Sequence, residues 1–304
     1  MINNLDIQSY GYFSENGFKN NFNYYLKNTI SAGKNNTEYD SSPHVKFMNI
    51  FELVSSFPLI NTSDNYSNYL DPKISLRINP SDMKSYKNEN RQIRNDNLFN
   101  INRLGLIDTL ESGNNLTLGL DFKRENIDDI NKYFEFKLGK VLRTKTNSNL
   151  PTNSTLDKKN SNYFGKVTNT LNDNINLNYE FSMNHDLDEI QYSSLSTTIK
   201  KNNFVTTFNY IEEEGEVGSA TILENVTTFN FNDQNFITFK TRENKEIDLT
   251  EYYDLIYEYK NDCLVAGIKY NKTFYKDKDL EPSEDFMLSI KLIPLTAVEQ
   301  KFSN

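Results

Sequence analysis

The chain of 304 residues contains one cysteine, two histidines and no tryptophan, and the first two scarcities remove whole classes of chemistry. A single thiol, Cys263, cannot form a disulfide within the chain and has no second cysteine with which to build a metal site. His44 and His185 lie far apart, and neither belongs to an HExxH or HxH arrangement. GxSxG, P-loop and GxGxxG motifs are absent as well. The sequence therefore predicts no catalytic residue, no metal and no cofactor.

Long apolar runs and excess positive charge are also missing. No segment approaches the roughly 18 consecutive apolar residues of a membrane-spanning helix. The formal net charge of -9 argues against nucleic-acid binding, which needs a basic surface. The first six residues lack both the charged and the apolar parts of a secretion signal. Two interpretations of that start remain open: a cytosolic protein, or a fragment whose true N-terminus lies upstream.

What the chain does have is apolar residues that recur with period two. Such alternation predicts strands with one apolar and one polar face, whereas helical periodicity is nearly absent. Only 96–103 could hold a short turn of helix. The apolar sides of the clearest strands are Leu116, Leu118, Leu120 and Phe122; Ile175, Leu177, Tyr179, Phe181 and Met183; Leu264, Ala266, Ile268 and Tyr270; and Phe286, Leu288, Ile290 and Leu292.

The number and length of these strands favour one all-β domain over 1–304. We count about 15 strands, many of about 10–13 residues, which is longer than is usual in soluble sheets and close to the length that crosses a bilayer. Short turns near 171–174, 201–203, 232–235 and 260–262 alternate with longer links, the longest being 80–112. Short turns on one side and long loops on the other are typical of outer-membrane barrels. We therefore predict an antiparallel, up-and-down transmembrane β-barrel, with a soluble β-sandwich or β-solenoid as the alternative.

Cys263 begins a strand just after a predicted short turn. In an outer-membrane barrel that side faces the oxidising periplasm. An odd cysteine there suggests pairing with a cysteine outside this chain, whereas the plainer interpretation is a small buried apolar side chain. Position alone does not separate the two.

One long segment resembles a signature of the lipopolysaccharide (LPS) assembly outer-membrane protein family, LptD, written NLF…NRF.G.DR.E.G…YGL. Leu104 and Thr109 stand where that family usually has Phe and Arg, and 118–120 continues the similarity. The residues that carry the resemblance are Asn97, Leu98, Phe99, Asn102, Arg103, Asp108, Glu111 and Gly113.

A second resemblance lies near the C-terminus. The stretch 257–263 is similar to the family's Y.DECC, with Cys263 in place and Leu264 where the second cysteine would stand. The stretch 270–282 resembles the loop Y.R.Y..DRD..P through Asp277, Asp279 and Pro282. Further similarity lies at 72–76, before the first motif, and at 288–295, which resembles the closing strand.

The resemblance implies a fold and a function. Family members form a very large barrel that inserts LPS into the outer leaflet of the outer membrane through a lateral opening between the first and last strands, without covalent chemistry. The sugar head group would pass through the polar lumen while the acyl chains enter the bilayer. The implied partners are LPS, an LptE-like plug lipoprotein, an LptA-like periplasmic bridge protein, the barrel-assembly machinery and outer-membrane lipid.

The resemblance also assigns roles to particular residues. Cys263 would pair with a cysteine of an N-terminal periplasmic region that these residues do not contain, and Leu264 stands where the family's second bridging cysteine would be. Phe286, Leu288, Ile290 and Leu292 would lie on the closing strand, at one side of the lateral gate. The chain would then be the C-terminal part of a longer barrel, with unpaired strand edges.

Three alternatives remain, each with a distinguishing feature. A porin or other diffusion channel would have a constriction loop folded into the lumen and a complete, even-stranded barrel. A soluble β-rich adhesin or fibre protein would bury its apolar face against another sheet. An enzyme would show clustered carboxylates with perturbed pKa values in a closed lumen.

Overall fold

The described residues fold almost entirely as β-strands. The computed structural model describes residues 1–33, 41–274, 281–292 and 296–303, which form eighteen strands and two single turns of 3-10 helix, Asn95–Asn97 and Thr152–Ser154. None of the described helices is long and apolar enough to cross a membrane. The strands are β1 (Ile2–Gln8), β2 (Tyr12–Phe13), β3 (Lys19–Ser31), β4 (His44–Ser56), β5 (Leu59–Thr62), β6 (Tyr66–Asn79), β7 (Gly113–Asn126), β8 (Tyr133–Arg143), β9 (Asn160–Asn172), β10 (Ile175–Met183), β11 (Ile190–Lys201), β12 (Phe204–Glu213), β13 (Ala220–Asn232), β14 (Asn235–Asn244), β15 (Leu249–Lys260), β16 (Leu264–Thr273), β17 (Glu284–Leu292) and β18 (Thr296–Ser303).

The strands pair antiparallel, mostly with their neighbours along the chain, as an up-and-down meander requires. The pairs β6–β7 and β7–β8 are representative: Ile74 lies opposite Leu118, and Gly119 lies opposite Gly139. The same pattern runs without interruption from β11 to β18. The exceptions are near the N-terminus, where β1 and β2 both pair with β3, and where β4 pairs with β6 past the short strand β5. The predicted all-β antiparallel meander is confirmed.

The chain divides into two compact units, and each is described by itself. Unit 1 comprises Met1–Val167, Glu180–Gln191 and Gly215–Gly218. Unit 2 comprises Thr168–Tyr179, Tyr192–Glu214 and Ser219–Asn304.

In unit 1 the usual relation between polarity and burial is reversed. Along β6, Ile74, Leu76 and Ile78 are about 40% exposed, whereas the alternate residues Ser75 and Arg77 are 0% and 2% exposed. On β4, Phe51 and Leu53 are exposed on either side of the buried Glu52, although Met48 and Ile50 are buried on the same side as Glu52. A water-soluble sheet would bury its apolar side instead. The reversed pattern is the one that a strand has when its apolar side faces lipid, as in outer-membrane barrels.

The polar face of unit 1 is buried because two long links fold onto it. We call residues 80–112, between β6 and β7, the insert; residues 144–159, between β8 and β9, form the second link. Their apolar residues form one cluster with Val141 of β8 and Phe164 of β9. The cluster comprises Met83, Tyr86, Ile93, Leu98, Leu104, Leu106, Val141, Leu150, Leu156 and Phe164. The main apolar core of this unit therefore lies between the sheet's polar face and its own loops.

In unit 2 the strands keep the same two faces. The apolar face exposes large side chains, among them Phe208, Phe239 and Leu255. The other face carries cross-strand polar pairs, such as the hydroxyls of Thr198 and Thr207, which lie 3.0 Å apart, as do those of Thr228 and Thr238. Each unit therefore presents an apolar and a polar surface, and within the described residues no second sheet covers the apolar side chains named here, as the adhesin alternative would require.

Two details of the strand assignment differ from the sequence analysis. The structure has eighteen strands rather than about 15, in part because β2 and β5, with two and four residues, are too short to show alternation. The strand that carries Phe286, Leu288, Ile290 and Leu292, β17, is not the last one. It pairs with β18, Leu292 lying opposite Thr296 and Asp285 opposite Ser303. The sequence signal for β18 was weak because Val298 and Phe302 are its only large apolar residues.

The predicted turns are confirmed. Strands β9 and β10, β11 and β12, β13 and β14, and β15 and β16 are joined by short turns where the sequence placed them. Asn202, between β11 and β12, has a φ of 51°, a left-handed conformation that asparagine tolerates better than most residues. The 3-10 turn at Asn95–Asn97 lies at the start of the one stretch that suggested helix.

Candidate functional site

The centre of the candidate site is a buried ion pair within the insert. Arg103 donates two parallel hydrogen bonds to the carboxylate of Glu111, from Nε at 2.7 Å and from Nη2 at 2.6 Å. Both side chains are almost fully buried. A two-point contact of this kind fixes orientation as well as charge. It joins the two sides of the loop formed by residues 104–110.

The sheet completes the coordination of this pair. Arg143, at the end of β8, donates to Glu111 Oε1 and to the carbonyl of Ser112. Arg103 reaches Thr117 Oγ1 and Asn115 Oδ1 on β7, at 3.1 and 3.2 Å. Burial alone would raise the pKa of Glu111, but the arginines around it, Arg103 first, lower that pKa to about 2. Glu111 is therefore charged at any physiological pH.

Gly113 fits the space beside this network. Its φ of 88° is a conformation that glycine adopts without strain, and an added β-carbon would lie 3.0 Å from Arg143 Nη2. The glycine of the family signature is thus explained by the close approach of the arginine.

A second buried carboxylate, Glu52 of β4, helps to hold the middle of the insert. It accepts hydrogen bonds from Arg77 Nε at 2.6 Å, Ser75 Oγ at 2.7 Å and Asn23 Nδ2 at 2.8 Å. Arg77 then donates from Nη2 to the carbonyl of Phe99, 2.7 Å away in the insert. Glu52 and Glu111 are the carboxylates of this region, against Arg77, Arg103 and Arg143, so the region carries a surplus of positive charge.

Residues 106–108 of the insert are held by separate contacts. Lys27 of β3 donates from Nζ to the carbonyls of Leu106 and Ile107, at 2.9 and 2.7 Å. Asp108 accepts from Lys84 at 3.1 Å and from the hydroxyl of Tyr86. Burial and the neighbouring Asp108 raise the pKa of Tyr86 to about 12, so this phenol remains a hydrogen-bond donor.

Two glycines allow the insert to contact the sheet directly. Gly119 and Gly139 lie opposite each other on β7 and β8. A β-carbon at Gly119 would lie 2.6 Å from the Phe99 ring, and one at Gly139 would overlap Leu98 Cδ2. Leu98 is fully buried there. The side chains of Leu98 and Phe99 occupy the space that ordinary residues would fill.

The remaining residues of the first motif shape the insert itself. Asn97 accepts a hydrogen bond from the backbone of Arg94 at 2.9 Å. Asn102 closes the next turn, donating to the carbonyl of Leu106 at 3.0 Å and accepting from its amide at 2.9 Å. Leu104 and Thr109, where the sequence departs from the family pattern, are both buried, and Thr109 accepts a hydrogen bond from the Lys84 amide at 3.1 Å. All eight residues of the first motif thus belong to one structure.

The C-terminal residues singled out by the sequence form no comparable site. Cys263 is an exposed free thiol whose amide donates to Asn261 Oδ1 at 3.0 Å. Phe286, Leu288, Ile290 and Leu292 lie exposed on the apolar face of β17. Pro282 is exposed, and Asp277 and Asp279 lie outside the described residues. No group of acidic, histidine or cysteine residues able to hold a metal is found in the described part of the chain.

Sequence reasoning missed the strand residues that hold the insert: Lys27, Glu52, Arg77, Asn115 and Arg143. Their signal was present, because each is polar or charged on the polar side of a strand. That signal does not distinguish a side chain that faces water from one that binds a buried carboxylate.

A comparison with known families decides the relationship. The family model described as LptD, LPS transport system D, matches residues 5–244. The chain belongs to the LptD family. No curated protein matches it. The match includes the whole insert and ends before the second motif region at 257–282. The functional roles given to Cys263 and to β17 therefore depend on the sequence resemblance alone. LptD membership gives the chain a role in LPS transport and places it with outer-membrane barrel proteins.

Proposed function

We propose that this chain is the C-terminal part of an LptD barrel that inserts LPS into the outer leaflet through a lateral gate. The saccharide would move along the polar face of the strands while the acyl chains leave sideways into lipid. The gate would lie between the first strand of the whole barrel and its last strand. On this proposal β17, which carries Phe286, Leu288, Ile290 and Leu292, would lie with its pairing partner β18 at one side of the gate.

The observation that carries this proposal is the reversed burial of β4 and β6. At the end of β6, Ile74, Leu76 and Ile78 face outward while Ser75 and Arg77 are buried, and on β4 the exposed Phe51 and Leu53 flank the buried Glu52. A wall of this kind suits a substrate that is polar at one end and apolar at the other, since each part meets a surface of its own polarity.

The same proposal includes partners and an orientation. The short turns would face the periplasm, where an LptA-like bridge protein would deliver LPS, and an LptE-like lipoprotein would plug the lumen of the whole barrel. The barrel-assembly machinery would insert the protein. Cys263, exposed beside the turn between β15 and β16, would then be accessible to a cysteine of the N-terminal region.

Crosslinking at two adjacent residues of β14 tests the transport route. A photoreactive amino acid would replace Thr238 on the polar face, or Phe239 on the apolar face, in the full-length protein with its partners. We expect an LPS adduct at position 238 that requires ATP-driven delivery, and none with that requirement at position 239. Absence of an energy-dependent adduct at 238 would contradict the proposed route.

A gel-mobility experiment tests the Cys263 pairing separately. The full-length protein in its native envelope is compared on reducing and non-reducing gels, with Cys263→Ser as the control. We expect a mobility shift that disappears on reduction and in the variant. A free thiol that alkylates readily would contradict the pairing without touching the transport route.

A diffusion channel is the second candidate, because the insert folded onto the polar face resembles a constriction loop. The family match favours LPS transport, and conductance separates the two. A porin would conduct ions continuously in a planar bilayer and give no energy-dependent LPS adduct at position 238.

A further inference from the structure

The apolar face of β6, β7 and β8 is grooved. Two grooves lie on either side of Leu118. One, of 340 Å³, is lined by Leu120, Leu138, Leu142 and Tyr163 among others. The other, of 300 Å³, is lined by Phe18, Phe57, Pro72 and Ile74 among others. Grooves of this polarity in a lipid-facing wall are suited to acyl chains.

A single cation lies in the first groove. Lys140 occupies the apolar face of β8, between Leu138 and Leu142, and its ammonium lies 3.9 Å from the centre of the Tyr163 ring. In the described part of the chain it makes no ion pair. A cation on a lipid-facing wall is costly unless an anion or water reaches it, and lysine side chains extend toward the membrane interface for that reason. The anion available there is a lipid phosphate.

A polar recess lies beyond the grooves, where these strands end. It has a volume of 590 Å³ and is lined by Asn79, Ser81, Asn114, Arg143 and Lys145 among others, and Asp82 contributes a carboxylate to the lining. Arg143 Nε is buried without a hydrogen-bond partner in the described residues. The recess begins three residues beyond Lys140 along β8, or about 10 Å at the rise of a strand. Amide, hydroxyl and cationic groups are the partners that a phosphorylated saccharide needs.

We propose that the lipid-facing surface of β6–β8 binds one LPS molecule in the outer leaflet. Its acyl chains would lie in the grooves beside Leu118, a lipid A phosphate would contact Lys140, and its inner sugars would enter the recess. The order of apolar groove, cation and polar recess along the strands matches the order of tail, phosphate and saccharide in a glycolipid. A phospholipid would leave the recess empty. The inference rests on the proposed function only for the orientation that turns the long links outward.

A site-specific adduct tests this proposal, because LPS also binds along the transport route. A photoreactive amino acid at Leu120 of the full-length, delipidated protein would report LPS in the groove as purified LPS is titrated. We expect Lys140→Gln to raise the half-saturating LPS concentration at least tenfold. Lys140→Leu, which keeps the groove apolar, should do the same. LPS stripped of its lipid A phosphates should bind the unsubstituted protein as weakly.

Arg124→Gln is the matched control. Arg124 is the other cation on the apolar face of this strand pair, but it lies toward the short-turn end, with its guanidinium 4.2 Å from the Tyr66 ring. Its removal should leave the titration unchanged. Heat-dependent gel mobility would show that every variant is folded.

Three outcomes would overturn the site: an unchanged titration for Lys140→Gln, equal competition by excess phosphatidylglycerol, or no adduct at position 120. Delivery of LPS to the cell surface is measured in parallel. If delivery persists without the groove adduct, the site is wrong and the transport function stands. If the adduct is normal but the chain supports no delivery, the proposed function fails instead.

Discussion

Glu111 is the residue on which the buried network depends. It carries the negative charge that pairs with both Arg103 and Arg143, and the side chains of both arginines are buried away from solvent. We expect Glu111→Gln to lower the free energy of unfolding by about 3–5 kcal/mol, since breaking a buried ion pair leaves its partners uncompensated. Urea unfolding followed by circular dichroism measures this, because the chain has no tryptophan to report by fluorescence.

Glu135→Gln is the control for that experiment. Glu135 pairs with Lys137 at 3.1 Å, but both side chains are partly exposed. We expect a loss below about 1 kcal/mol, as is usual for surface pairs. Equal losses at the two positions would mean that Glu111 does not stabilise the fold through its buried partners.

The pKa of Glu111 also predicts a pH dependence. Its carboxyl has a pKa of about 2 in the folded protein against an ordinary value of 4.5. A lowered pKa contributes stability that is fully present above pH 4.5 and is lost as the pH falls toward 2, about 3 kcal/mol in all for this shift. The difference in unfolding free energy between the native protein and Glu111→Gln should therefore shrink through this range. A difference that stays constant from pH 7 to pH 2 would contradict the assignment.

At the scale of elements, the insert is held to the sheet by the paired glycines of β7 and β8. A methyl group at Gly139 would collide with the buried Leu98. We expect Gly139→Ala to cost about 1–3 kcal/mol by overpacking and to expose the insert to protease. Gly267→Ala on β16, where the nearest atom is the Ser289 hydroxyl at 2.9 Å, is the milder comparison.

A double variant makes the Gly139 prediction specific. Shortening the opposing side chain in Gly139→Ala/Leu98→Ala returns space to the contact. The double variant should therefore lose less unfolding free energy than the sum of the losses in the two single variants. Strict additivity would show that the glycine acts on the strand rather than on the insert.

Much of the element scale could be read from the sequence. Alternation such as Leu116, Leu118 and Leu120 predicted the strands and their faces, because successive side chains of a strand point to opposite faces of the sheet. The short turns followed from the gaps between these runs. Strand β18 could not be found this way, since Val298 and Phe302 are too few to define a face.

The candidate site was harder to predict from the sequence, and the reason is physical. The resemblance singled out Arg103 and Glu111, but it did not supply their partners. Glu52, Arg77 and Arg143 come from separate strands, and only the register of β4, β6, β7 and β8 brings them to one place. Nor did any local pattern show that the 80–112 link folds back onto the sheet, since a polar stretch with scattered leucines is also typical of an exposed loop.

At the scale of the whole molecule, the insert should restrict passage along the polar face. We expect replacement of residues 84–107 by a short glycine-serine linker to raise ion conductance of the full-length protein in planar bilayers. Cells that carry the variant should become more sensitive to large antibiotics that the outer membrane normally excludes. Unchanged conductance in a folded variant would show that the insert does not obstruct the route.

The burial of polar residues on β6, and of Glu52 on β4, also determines which positions of this protein can vary during evolution. In most proteins the apolar interior tolerates the fewest substitutions, and the polar exterior varies most in sequence. Here the outward positions, such as Ile74, Leu76 and Ile78, need only remain lipid-compatible, so any of several apolar residues would serve at each. Ser75, Arg77 and Glu52 hold particular partners at particular distances. Sequence variation among relatives should therefore concentrate on the apolar face, and a ranking of positions by hydrophobicity would invert the true order of constraint.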